Sequence, residues 1–174
     1  MRPAEAGRRK NMVGMFSLLL AAQIWLGGDV FLGRGEGAPL RPLAALSGVG
    51  IVNLEGPVGL PAVFPRLTHA PAALGQLRAA GIRVAGIANN HSANTNEPDG
   101  ATTARALREA GVLAAGLSAG AAMLELDGMR VAVTAHDLSR GVPARLAKDL
   151  REARARADLL VATFHVAGPS LYLP

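Results

Sequence analysis

Four short apolar runs in this chain each end on a side chain able to bind a metal ion or move a proton, and this pattern constrains the fold most. Ile24 to Phe31 carries Asp29 at its exit, and Val49 to Leu54 runs into Glu55. Ile82 to Ala88 runs into Asn89, Asn90 and His91, and Leu159 to Phe164 runs into His165. Short apolar runs of this kind read as buried parallel strands. Between them lie segments with helical features. Ala70 to Ala80 and Ala101 to Ala110 are each followed by a glycine (Gly81, Gly111), the residue a helix C-terminus favours, and Val142 to Arg156 has apolar residues at helical spacing. Pro39 to Leu46 reads as a short helix and Val112 to Ala115 as a short strand. Met123 to Ala135 reads as a hairpin turning at Asp127-Gly128. Strand and helix therefore alternate through most of the chain, which predicts an α/β domain with a largely parallel sheet covered by helices.

Open α/β sheets bind ligands at the carboxyl ends of their strands, where loops and helix N-termini converge. Asp29, Glu55, Asn90, His91 and His165 all fall on that edge. Two carboxylates, a carboxamide and two imidazoles suit Mn²⁺, Fe²⁺ or Zn²⁺. Each residue also has a plainer role open to it. Asp29 after two glycines suits a turn, Glu55 before Gly-Pro suits a cap, and His165 suits a hydrogen-bonded, partly buried ring. Asn89 and Asn90 tolerate strained turn geometry. Recurrence at four strand ends favours a functional cluster.

Other signals are weaker. His136-Asp137 follows a strand and belongs either to the same edge or to the start of the next helix. His69, before Ala-Pro, reads as structural. The stretch GDVFLGRG lacks the spacing and the Lys of a phosphate-binding P-loop, and there is no dinucleotide fingerprint. No serine nucleophile elbow is present.

Charge and composition narrow the class further. The chain has 174 residues, enough for one domain with a substantial core, and a formal charge of +5. All eighteen basic residues except Lys10 and Lys148 are Arg, scattered without the aromatic interleaving of a base-stacking surface. Nucleic acid is therefore not the expected partner. With no cysteine, disulfides and thiolate metal sites are excluded. Residues 1–22 read either as a signal or membrane-anchor segment or as a start-site extension. Arg8, Arg9 and Lys10 precede the run MVGMFSLLLAA, which is shorter than the roughly 20 apolar residues of a membrane span.

Several motifs in order carry a specific resemblance: GGDVFLGRG (Gly27 to Gly35), IVNLEGPV (Ile51 to Val58), ANNH (Ala88 to His91), TARALREAGV (Thr103 to Val112) and ATFHVAGPSLYLP at the end. Together they resemble the bacterial CapA family of capsule and poly-gamma-glutamate synthesis proteins, over nearly everything from Ile24 to Pro174. The resemblance implies that residues 23–174 form part of a metallophosphoesterase-like fold, a sandwich of two sheets flanked by helices. By that likeness Asp29, Glu55, Asn90 and His165 are metal ligands, Glu55 stands where a bridging carboxylate would be, and His91 is a candidate acid facing a substrate phosphate.

The sequence also departs from the pattern. Phe31 stands where phosphoesterases of this fold commonly have a His, and Asn94 stands where CapA-like loops often have an Asp. No Gly-His-x-His motif follows, so the resemblance implies a domain incomplete at its C-terminus, with weak or single-metal binding. The implied function is capsule or poly-gamma-glutamate synthesis at the cell envelope, with an anionic polymer or a phosphate-containing substrate as partner. The alternatives are a metal-dependent hydrolase, an inactive fragment and a cytoplasmic location.

Overall fold

The computed structural model describes residues 23–34, 40–59, 67–94 and 99–166. Residues 1–22, 35–39, 60–66, 95–98 and 167–174 lie outside the described residues. Among the described residues no helix is long and apolar enough to cross a membrane.

Strands β1 (Ile24–Val30), β2 (Val49–Leu54), β3 (Ile82–Gly86) and β4 (Leu113–Ala115) form a four-stranded sheet in that order, parallel throughout. Strands β5 (Ala122–Leu126), β6 (Met129–Asp137) and β7 (Leu159–His165) form a second sheet. There β5 and β6 pair antiparallel across the expected Asp127-Gly128 turn, and β7 lies parallel to β6. The fold is a layered α/β sandwich, consistent with a metallophosphoesterase-like architecture. Strand–helix alternation suggested a largely parallel sheet covered by helices, and the family likeness a sandwich of two sheets; the hairpin starts the second sheet, and the two are held together by packing.

Three apolar layers follow from the two-residue period of the strands. Val52 and Leu54 of β2 point outward, into a core shared with Leu77 of α1 (Gly75–Ala79) and Leu107 of α2 (Ala101–Glu109). Ile51 and Val84 point the other way and meet Val131, Val133 and Ala135 of β6 between the sheets. Beyond the second sheet, Ala132 packs against Ala153 of α3 (Leu146–Ala155). Gly86 lets the sheets approach closely, since a Cβ there would lie 3.0 Å from the Ala135 methyl.

The helices differ from expectation in their starts. The segment from Ala70 is a 3-10 turn, Pro71–Ala73, followed by the short α1, and Pro39 to Leu46 reduces to a 3-10 turn, Arg41–Ala45. Helix α3 begins at Leu146 rather than Val142. The ring of Pro143 disfavours helical geometry at the residue before it, so the helix cannot extend back to Val142. Gly81 and Gly111 adopt the left-handed conformation expected of residues that end helices, with φ of 80° and 75°.

Candidate metal-binding site

The inner faces of both sheets carry the site. In β2 the inward phase runs Ile51, Asn53 and on to Glu55, so a polar pair continues the apolar row where the strand leaves the sheet interface. In β7 the same phase runs Val161, Thr163 and His165. Asp29 reaches this face through an irregularity in β1. Leu26 pairs with Ile51 but Asp29 pairs with Asn53, so β1 has one residue more than β2 between the two points. The extra residue falls at Gly27-Gly28 and turns Asp29 onto the face that strict alternation would deny it.

The ligand atoms of Asp29, Glu55 and His165 lie within 4.8 Å of one another. The His165 side chain and the Glu55 side chain are each only 12 % exposed, whereas Asp29 opens to solvent. His165 Nε2 is 2.8 Å from Asn90 Oδ1. A carboxamide oxygen only accepts, so Nε2 carries the ring proton and donates it to Asn90. The lone pair on Nδ1 then faces Asp29 Oδ1 and Glu55 Oε2, each 3.7 Å away. Two carboxylates and a nitrogen lone pair aimed at one point form a donor set that fits a divalent cation. The hydrogen bond to the far ring nitrogen is the support a metal-binding histidine ordinarily has.

Asn53 sits at the centre of this set. Its Nδ2 donates to Asp29 Oδ1 and to Glu55 Oε2, both at 2.7 Å, and lies 3.5 Å from His165 Nδ1. Sequence reasoning passed over Asn53. The signal was present, because Asn53 is the one polar side chain in VGIVNL and is two residues from Glu55, on the same face.

Asn89 is more than a residue tolerant of turn strain. It is buried, and its Nδ2 donates to Asn53 Oδ1 at 3.1 Å and to the Leu54 carbonyl at 2.8 Å. Its Oδ1 accepts from the backbone N–H groups of Gly56 and His91, at 3.3 and 3.2 Å. One carboxamide thus ties the exit of β2 to the loop after β3. Ser92, also buried, closes that loop by accepting from the Asn89 N–H and donating to the Ile87 carbonyl.

His91 Nε2 approaches Glu55 Oε1 at 3.6 Å, on the side of the carboxylate away from His165. Asn90 stands at the edge of the donor set, its oxygen engaged by His165. The five residues expected from sequence are therefore neighbours.

The remaining candidates border the site without joining its converging ligand atoms. His69 is fully buried; its Nδ1 accepts from the Leu32 N–H at 3.2 Å and its Nε2 contacts the Glu55 carbonyl at 3.0 Å. It ties the exits of β1 and β2 together, and burial holds its pKa below the usual 6.5, against the opposing effect of its backbone hydrogen bonds. Phe31 is half exposed, with its ring 5.1 Å from that of His69. His136 and Asp137 end β6 in register with Phe164 and His165, so they belong to the same sheet edge and not to the start of a helix. The His136 ring stacks on Phe164, and Asp137 Oδ1 accepts from the Ser139 N–H.

The chain matches the family described as bacterial capsule synthesis protein PGA_cap over residues 24–174. No match was found among curated proteins. The match spans most of the chain, and the protein belongs to that capsule synthesis family.

Proposed function

We propose that this member of the capsule synthesis family carries out a divalent-metal-dependent step on an anionic polymer such as poly-gamma-glutamate, at the mouth between its two sheets. The observation that carries this reading is the convergence of Asp29, Glu55 and His165 within 4.8 Å, with the His165 lone pair turned inward by Asn90. Asp29, Glu55 and His165 would hold the ion, while the Asn90 oxygen, engaged by the far nitrogen of His165, orients that ring instead of ligating the same ion. Mn²⁺, Fe²⁺ and Zn²⁺ all accept such mixed oxygen and nitrogen sets. A cation of this kind neutralises a carboxylate or phosphate oxygen and makes bound water more acidic.

The chain's own residues do the rest. Glu55, largely shielded from water, is held in place by the Asn53 amide at 2.7 Å. His91, 35 % exposed, faces incoming ligand and serves as the acid. The net charge of +5 favours an anionic partner at the cell envelope. Hydrolysis of a phosphate ester is the second reading, favoured by the Asn-His pair that follows an apolar strand beside the carboxylates.

Calorimetric titration of the purified chain with Mn²⁺ and Zn²⁺ tests the site, with Asp29→Ala as control. Stoichiometric binding lost in the variant is expected. Salt-dependent binding of poly-gamma-glutamate to the loaded protein supports the polymer reading. Phosphodiester hydrolysis abolished by His91→Ala supports the second. Absence of metal binding in the intact chain sinks both.

A further inference from the structure

We propose that Asn94 fixes the ring proton of His91 on Nε2, so that His91 enters the site as a hydrogen-bond donor and not as a metal ligand. The Leu67 carbonyl orients the Asn94 amide. Asn94 Nδ2 lies 3.3 Å from Leu67 O and 3.1 Å from His91 Nδ1. A carbonyl oxygen only accepts, so the NH₂ end of the Asn94 carboxamide must face Leu67. Reversing the amide would set two acceptor oxygens against each other. The same NH₂ group has two hydrogens, and the second points at His91 Nδ1. An amide nitrogen offers no lone pair, so His91 Nδ1 is the acceptor. A neutral imidazole carries one N–H, which leaves it on Nε2.

That nitrogen is the one facing the site, 3.6 Å from Glu55 Oε1. Carrying hydrogen, it has no lone pair for a cation and instead offers a proton to an anionic oxygen. Backbone hydrogen bonds in the loop support this relation. The Asn94 N–H donates to the His91 carbonyl at 2.9 Å, and the His91 N–H donates to the buried Asn89 Oδ1. An aspartate at position 94 would do the reverse: its carboxylate would accept from Nδ1–H and leave a bare Nε2 facing the site. Asn94 is thus a positioning residue. The tautomer stands on these contacts alone, and only the choice of an anionic ligand rests on the proposed function.

The test is a long-range ¹H–¹⁵N correlation spectrum of the full chain with labelled histidine at pH 8.5, about two units above the ordinary histidine pKa. His91 is identified among the four histidines by its loss in His91→Gln. The expected wild-type pattern is a protonated Nε2 and an unprotonated Nδ1. It should reverse in Asn94→Asp and average between tautomers in Asn94→Ala. A wild-type ring protonated on Nδ1 overturns the proposal, and so does a pattern unchanged in both variants. If neither variant folds, the wild-type spectrum alone decides. Inorganic phosphate added to metal-loaded protein separates the two claims. Binding weakened about tenfold in Asn94→Asp supports the donor role. A correct tautomer with no phosphate binding overturns the ligand class and leaves the tautomer standing.

Discussion

The Asn53 carboxamide donates to Asp29 Oδ1 at 2.7 Å across two parallel strands, and the same nitrogen donates to Glu55 Oε2. In this arrangement one NH₂ group supplies the positive partial charge that both carboxylates need. Replacing it with Ala leaves two acidic groups facing each other and strips Asn89 of one acceptor. Asn53→Ala should lose about 1–3 kcal/mol of stability in EDTA. Saturating Mn²⁺ should raise its melting temperature by more than it raises that of wild type. Thermal unfolding with and without metal checks this, and an equal rise in both proteins contradicts it.

Asn89 makes four side-chain hydrogen bonds from a buried position. Asn89→Leu keeps the approximate volume and orphans the Gly56 and His91 N–H groups and the Leu54 carbonyl. Leaving a buried polar group unmet costs about 1–3 kcal/mol. The variant should therefore be destabilised by roughly 3 kcal/mol or more, a larger loss than Asn53→Ala shows. Urea denaturation of the two variants side by side gives the order.

Gly56 has a φ of 101°, and a Cβ there would run into the Leu67 carbonyl. Gly56→Ala should cost at least about 1–3 kcal/mol in backbone strain alone. Because Gly56 follows Glu55 directly, metal affinity should fall as well. Retention of wild-type metal affinity would show that Glu55 is held independently of the turn.

His69 and His136 both have pKa values lowered from 6.5, mainly by burial. The native state therefore keeps these rings neutral, while the unfolded chain takes up protons as the pH drops through about 6.5. Stability contributed by neutral burial is complete above that value and declines below it, down to the lowered native pKa. The more deeply buried His69 sets most of this slope, at most about 1.4 kcal/mol per pH unit, and the partly exposed His136 adds less because solvent screens its charge. Denaturation midpoints at pH 8 and pH 5.5 should differ in this direction, and the difference should shrink in His69→Gln. A higher midpoint at pH 5.5 would falsify the sign.

Much of the fold was written in local pattern. The apolar runs at Val49 to Leu54 and Ile82 to Ala88 became β2 and β3, because a predominantly apolar strand is stable only when covered on both faces. Gly81 and Gly111 ended their helices, and Asp127-Gly128 turned its hairpin, because these positions need conformations few other residues adopt cheaply. The candidate residues Asp29, Glu55, Asn90, His91 and His165 were legible for a related reason: a polar side chain at or just past the end of an apolar run lies near the sheet's edge.

Other features depended on partners distant in sequence. That β5 to β7 form a second sheet follows from packing of Val131 and Val133 against Ile51 and Val84, which no local pattern records. The inward turn of Asp29 depends on an extra residue in β1 measured against β2, and register is a property of two strands. The roles of Asn89 and Asn94 were hidden because an asparagine in a polar loop reads as a turn residue until its amide has partners. Sequence by itself determined which side chains end the strands, because burial is a local, periodic demand. Only the tertiary structure decided which of them meet, and which nitrogen of each histidine faces the site, because hydrogen-bond partners are chosen in space.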